Sequence, residues 1–453
     1  MKKIQYFIIL TFCLLILIPL VCFNTTSNSI SVIDNRKLTE NPFSLKGDIT
    51  SNIQKYVNDR IGFRNEMITA YTLLNDRLFG KMVHPSYTYG KDGYVFGAGL
   101  TTSNNFDDFH IIFADMIAKI QKYCNSRNVP FLFVFNPAKP AIYTDKIISG
   151  INYNREWVDL FFLELDKRGI HYLDNTKTFN ELRTKGIHCF NQKYDANHWN
   201  DIGAFYGTQA MLRSLYQQDS SVYINKLEDF SISETLQDSL LVSKFPIKEY
   251  VPKLTHNELI TSLYDNYFSE LQIDKSYRGF GYYVNESVLL KNTPKLLIFQ
   301  GSYMNGHGAK YMQNAFREYI HVHDYQNVLN FPYYFNIFKP ECVIFEVAEY
   351  TISNGYFNLA KMKTLDYNPS FNEIENIEEV DIKNEKIIIN EGITLTTISW
   401  ETEEDYSYVW LCLDSEFDML KYDCGYQATI ETKRYQELGN IMKIYIMRKD
   451  RKI

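Results

Sequence analysis

Asp195-Ala-Asn-His198-Trp199 sets a carboxylate three residues ahead of an imidazole, with an aromatic ring directly behind it and Gly203-Ala204 following. Much later the apolar run Lys295-Leu-Leu-Ile-Phe-Gln300 enters Gly301-Ser302-Tyr-Met-Asn-Gly306. A serine on a tight turn after a strand, together with a separate Asp–His pair, supplies the parts of a Ser-His-Asp nucleophile. Ser302 would attack, His198 would take its proton, and Asp195 would fix the tautomer and stabilise the imidazolium. Acyl transfer is the chemistry these residue types imply.

The neighbours of the serine fit that chemistry. Gly301 and Gly306 would let the backbone turn sharply and bring an N–H toward a developing oxyanion. Taken alone, each half has a plainer reading, because serines after strands often sit in turns and an Asp before a helix often caps it. Asn136-Pro-Ala-Lys139-Pro-Ala-Ile-Tyr143 follows the strongest apolar run of the chain. Asn136 is therefore a candidate oxyanion donor, and Lys139 and Tyr143 are candidate contacts to an acyl group or sugar. A Pro-rich turn with a solvated lysine is the alternative for Lys139. His321-x-His323-Asp324 puts two imidazoles on one strand face, but no third ligand follows by spacing. Neither a metal nor a cofactor is expected. Glu346 and Glu349 end a buried strand, and the sequence leaves them open between sheet-edge and cleft positions.

The elements that must hold these residues alternate between helix and strand. Helical spacing runs through 47–79, with Gly62 marking a break between two helices, and recurs at 107–127, 155–168 and 309–319, while the motif region 195–203 opens a helix through about Leu215. Buried strands are expected at Val129–Phe135, Ile170–Leu173, Lys295–Gln300, Tyr319–Val322 and Cys342–Glu346. Gly90–Phe96 is a turn entering a short strand, and 220–290 reads as an insertion of helices and loops near the cleft. The pattern predicts an α/β fold with a doubly wound parallel sheet, whose ligands gather beyond the carboxyl ends of the strands. After an acidic, Asn-containing linker at 368–376, short strand-like runs from Val380 to Met447 predict a small antiparallel β-module. The expected boundaries are a tip and anchor at 1–23, a stalk at 24–46, a main domain at 47–366 and the β-module at 367–453.

Bulk properties bound the setting. A chain of 453 residues with 45% hydrophobic residues is long enough for more than one globular unit. A net charge of −7 without a basic stripe argues against nucleic acid as a partner. Tyr and Phe number 35 and 31, which suits sugar stacking but also follows from an AT-rich genome. Lys2 and Lys3 precede an uncharged apolar run, Ile4 to Phe23, long enough to cross a bilayer. The lysines should stay inside, which sends the rest of the chain outside. No small-x-small cleavage site follows, so an uncleaved anchor is favoured over a removed signal peptide. Cys13 and Cys22 fall in the apolar run; of the other five, Cys412 and Cys424 are best placed for a bridge across a hairpin.

In order and wording these motifs resemble the SGNH-type periplasmic O-acetyltransferases of exopolysaccharide biosynthesis, typified by the alginate acetylation proteins. The resemblance runs from about residue 40 to about 350. Its stations are Asn58–Arg64, Gly90–Phe96, Asn136–Tyr143, Asp195–Trp199 with Gly203-Ala204, and Gln300–Gly306. As in that family, the serine follows the Asp/His pair. Two positions depart from the pattern: the acid stands three residues before His198 instead of two, and Gly301 replaces an acid before Ser302. The resemblance implies an SGNH hydrolase-like fold and a seryl ester that passes acetyl groups to a polysaccharide acceptor. It also implies a multi-spanning membrane acyltransferase as acetyl donor, with the catalytic domain held outside the cytoplasm by residues 4–23. A carbohydrate acetylesterase and a silent glycan-binding or assembly subunit are the competing readings. Trp199, Trp400, Tyr408 and Trp410 are candidate glycan-stacking rings.

Overall fold

The computed structural model describes residues 2–26, 30–31, 33, 36–45, 47–99, 104–241, 245–257, 261–264, 266–273, 279–287, 290–365, 367, 386–401, 406–413, 416–419, 421–422, 425–437 and 443–448. Its centre is a seven-stranded sheet. Numbered in chain order, its strands are β1 (Phe131–Asn136), β2 (Tyr172–Asp174), β3 (Thr261–Leu263), β4 (Phe280–Asn285), β5 (Lys295–Gln300), β6 (Glu318–His323) and β7 (Cys342–Ala348). Their spatial order is β2-β1-β7-β5-β6-β4-β3.

The five strands from β2 to β6 run parallel. The expected all-parallel sheet needs correction at its far side, where β4 runs antiparallel to β6 and β3 antiparallel to β4. The fold is α/β with a mixed sheet. The cause lies in the 220–290 segment, expected as helices and loops. It forms a long antiparallel hairpin, Phe230–Ser239 with Pro246–His256, followed by β3 and β4.

Both faces of the parallel core are covered, which is why its strands are apolar without alternation. Phe131, Phe133 and Phe135 of β1 pack with Phe299, Val343 and Phe345 beneath the helices Asp108–Asn125, Glu156–Lys167 and Phe331–Phe338. Leu132, Val134, Ile298 and Ile344 face the other way, toward the helices Asn175–Thr184 and Asp201–Tyr216. Side-chain caps set helix starts around the sheet: Asp107, Asp174 and Asn200 each accept a first-turn backbone N–H.

Lys2–Val21 is one helix, long and apolar enough to span a membrane. Two helices follow at Ile49–Arg60 and Arg64–Phe79, on either side of Gly62 as expected. The segment between them and the first helix, expected as a stalk, is tied at described residues to the second helix. Arg60 donates to the carbonyls of Thr39 (3.0 Å) and Thr26 (2.7 Å). At the other end of the chain, strands Lys386–Glu391, Leu395–Glu401, Lys421–Tyr422 and Gly425–Glu431 form one antiparallel sheet. Tyr406–Leu413, Glu416–Met419 and Lys443–Arg448 form another. The linker at 368–376, the run at Val380–Ile382 and Cys424 lie outside the described residues.

Candidate active site

Strand β5 lies inside the sheet and delivers Ser302 at its carboxyl end. Gly301 makes the turn, and Ser302 opens a helix whose second turn, Met304–Gly308, is a wide π turn before Ala309–Gln313. Such turns recur at functional positions because they re-aim side chains at the cost of regular hydrogen bonding. The expected helix through 319 stops at Gln313.

Asp195 and His198 come from the loop before helix Asp201–Tyr216. The helix cap is Asn200, which accepts from the Gly203 amide at 2.9 Å, so Asp195 is free of that task. Asp195 adopts a left-handed backbone conformation, φ 49°, which aspartate tolerates better than most residues. This tight curl lets its carboxylate accept from the His198 backbone N–H at 3.1 Å and stand 2.8 and 3.0 Å from His198 Nδ1. The opposite ring nitrogen, Nε2, lies 2.9 Å from Ser302 Oγ. The three side chains thus form one hydrogen-bonded row, with the imidazole in the middle.

Trp199 and Tyr303 hold the two halves of this row together. The Trp199 indole N–H donates to the Tyr303 carbonyl at 2.8 Å. The Tyr303 hydroxyl lies 2.9 Å from the carbonyls of both Pro137 and Asn197. Trp199 is fully buried against Gly207, where any Cβ would stand 2.5 Å from its ring. It is therefore an internal brace and presents no face to a sugar.

Electrostatics support the arrangement. Burial opposes charge on both partners of the Asp195–His198 pair, but their mutual attraction and hydrogen bonds overcome it. Asp195 is held well below the usual carboxylate range, and His198 is raised above its ordinary value of 6.5.

The remaining sequence candidates occupy other positions. Gly301 donates its N–H to Glu346 Oε2 at 2.8 Å, so that amide is already committed. Gly306 lies on the exposed side of the π turn, beside a cleft of 660 Å³ that Gln300, Asn305, His307, Tyr283 and Phe280 also line. Asn136 is buried and spends its side chain on Glu346 (2.7 Å) and Asn175 (2.7 Å). Lys139 is a correction to the expected cleft position. Its ammonium is fully buried and donates to the carbonyls of Val95 (2.6 Å) and Gln192 (3.1 Å), and burial pushes its pKa down to about 7. Tyr143 is buried as well, with its hydroxyl 3.3 Å from His188 Nδ1. Trp400 is buried near Tyr426, 6.3 Å between ring centres. Tyr408 and Trp410 lie on strand Tyr406–Leu413, and their side chains are outside the described residues. His323 lies at the end of β6, where its backbone N–H donates to Gly279, while His321 stacks on Tyr283 beside the cleft.

Two neighbours of the serine were not singled out by motif. The Tyr350 hydroxyl lies 3.3 Å from Ser302 Oγ, and burial raises its pKa well above 10, so it stays protonated. Only its place just past the carboxyl end of β7 marks it in the sequence. Glu346, left open above, is fully buried between the Gly301 amide and Asn136, and burial lifts it to about 7. Glu349 is structural: it pairs with Arg155 at 2.9 Å and accepts from the Ala138 amide at 2.9 Å. A side chain at 301 would begin 3.3 Å from Asp324 Oδ2 and 3.7 Å from Glu346 Oε2. Two buried carboxyl groups therefore crowd the space that an acid at 301 would enter.

No protein-family model matches the chain, and none of the curated proteins matches it. Among solved structures it is similar to PatB1 of Bacillus cereus, at 15% identity over 58% of this chain and 95% of that one, with a TM-score of 0.44. The O-acetyltransferase domain of Pseudomonas putida AlgJ matches at 13% identity over 61% of this chain and 98% of its own, TM-score 0.42. AlgX of Pseudomonas aeruginosa matches at 12% identity over 80% and 90% of the two chains, TM-score 0.39.

Proposed function

We propose that this protein is a membrane-anchored, extracytoplasmic O-acetyltransferase that passes acetyl groups through Ser302 to hydroxyls of a polysaccharide. The observation that carries the reading is the row Asp195–His198–Ser302, with His198 Nε2 2.9 Å from Ser302 Oγ. In the first step Ser302 Oγ bonds to the acyl carbon while its proton moves to His198 Nε2. The carbonyl becomes an oxyanion, received by the Ser302 N–H in the first helical turn, where intrahelical partners are lacking, and by the Tyr350 hydroxyl. Collapse expels the donor's oxygen, which takes the proton from His198, and an acetyl-serine remains. An acceptor hydroxyl then gives its proton to His198 as it attacks the ester, and collapse returns that proton to Ser302.

The helix Lys2–Val21 supports the anchored setting, with the acetyl donor a multi-spanning membrane acyltransferase. The C-terminal sheets are assigned to glycan binding under the same reading. Trapping tests it: the full chain in detergent is treated with an activated acetyl ester, and the adduct is located by peptide mass spectrometry. Acetyl on Ser302 that disappears in His198→Ala is expected. An unmodified Ser302 in the folded protein would sink the reading in favour of a silent subunit.

A further inference from the structure

The two helices after the first span carry their apolar residues outward. Ile53 and Val57 lie one turn apart on Ile49–Arg60; Met67, Tyr71, Leu74 and Leu78 keep helical spacing on Arg64–Phe79. These six side chains are between 37% (Val57) and 63% (Leu78) exposed. Four polar residues of the same helices, Asn52, Asp59, Arg60 and Thr72, are buried, while Lys55, Glu66 and Arg77 are exposed. Asp59 accepts from Thr39, Arg60 donates to Thr26 and Thr39, and Thr72 donates to the Val83 carbonyl at 2.7 Å. Each helix thus leaves an apolar stripe uncovered, flanked by exposed polar side chains such as Lys55 and Arg77.

Its position names what covers that face. Gly62, between the two helices, donates its N–H to the carbonyl of Pro19 at 2.9 Å, and Asn24 donates to the Arg60 carbonyl at 2.8 Å. A Cβ at Gly62 would stand 2.6 Å from the Cys22 carbonyl oxygen. The helix pair is thus bonded to the last turn of the apolar span, at the level where that span leaves the hydrocarbon. Helices with one apolar face settle in the headgroup boundary there.

We infer that the outward face of 49–79 rests on the outer surface of the same bilayer and seats the catalytic domain on it. This rests on the anchored reading of Lys2–Val21. The seat is coupled to the site. Asp76 accepts from the Tyr89 hydroxyl at 2.7 Å, and Leu73 packs against the cluster that contains Tyr87, Val95 and Ala196, the residue next to Asp195. The loop that carries Asp195 and His198 is therefore one packing layer from the membrane-facing helix, on the side from which a membrane-borne acetyl donor would arrive.

The full chain, reconstituted in phosphatidylcholine nanodiscs doped with a diazirine-acyl phosphatidylcholine, gives the test. After irradiation, lipid adducts are mapped by peptide mass spectrometry. Adducts on 49–57 and 67–78 in addition to 2–21 are expected. They should be lost from those helices in the Ile53→Asp/Tyr71→Asp/Leu78→Asp variant while its melting temperature in detergent stays unchanged. Adducts confined to 2–21 in the wild type overturn the inference and leave the anchor standing. Absence of adducts from 2–21 as well overturns the anchor and the inference together. The wild-type map decides the matter even where the triple variant fails to fold.

Discussion

The indole N–H of Trp199 meets the carbonyl of Tyr303 at 2.8 Å, joining residues 104 positions apart in the chain. His198 and Ser302 are their immediate sequence neighbours, so this bond fixes the distance between base and nucleophile from behind. Trp199→Phe keeps most of the packing but strands a buried carbonyl, at a cost of about 1–3 kcal/mol. Calorimetry should show that loss, and the Ser302 acylation rate should fall in the same variant. Unchanged acylation would mean that packing alone aligns the pair.

Ser302 and His198 should act as one unit. Ser302→Ala and His198→Ala are each expected to lower acetyl transfer by several orders of magnitude, and the double variant to lose little more. Single-turnover assays of the three variants check this. Small, independent, additive losses would rule out a shared proton transfer.

The pH dependence follows from the raised value of His198. The base works when neutral, so acylation should climb with pH through the folded value of His198, with a midpoint above 6.5. Asp195→Asn removes the main charge that raises it, leaving burial to lower it against the weaker pull of Glu346. The midpoint should then drop, while the rate falls about 10⁴-fold because the imidazole loses its orienting partner. A midpoint that does not respond to Asp195→Asn would contradict the assigned pairing.

Tyr350→Phe removes the hydroxyl 3.3 Å from Ser302 Oγ and little else. As an oxyanion donor it should be worth on the order of 10²-fold in the acylation rate, with donor affinity nearly constant. A change confined to KM would make Tyr350 a binding residue.

Glu346 gives a stability signature. Its folded value is about 7, raised by burial above the ordinary 4.5. As pH climbs from about 4.5 to 7 the unfolded chain ionises this group first, so folded-state stability declines across that window and levels off above it. Relative to Glu346→Gln, the wild type should lose about 3 kcal/mol between those limits. Parallel denaturation curves for the two proteins would show that the carboxyl is ionised without penalty.

The sequence made some of this visible and concealed the rest for physical reasons. The buried strand at Phe131–Asn136 was legible because burial on both faces leaves an unbroken apolar run. The hairpin Phe230–Ser239/Pro246–His256 was not, since its first strand is mostly exposed and its apolar alternation, Phe230, Ile232 and Leu236, is broken at Glu234. Helical spacing located Ile49–Arg60 and Arg64–Phe79, but a period says nothing about whether the apolar stripe faces a core or the outside. Lys139 looked like a cleft residue because it follows a strand. Its ammonium turns inward because the carbonyls of Val95 and Gln192, on a separate hairpin and loop, offer it partners inside. Tyr350 carries no motif and enters the site only because β7 ends beside β5.

The amide of Gly301 hangs from Glu346, a side chain of the strand paired with β5. The reactive serine is thereby fastened to the part of the molecule that opens last. Heat should therefore give no interval in which the protein is still folded but its serine has lost register. Loss of activity and loss of the sheet should follow one time course, and the rate of inactivation on storage should equal the rate of global unfolding.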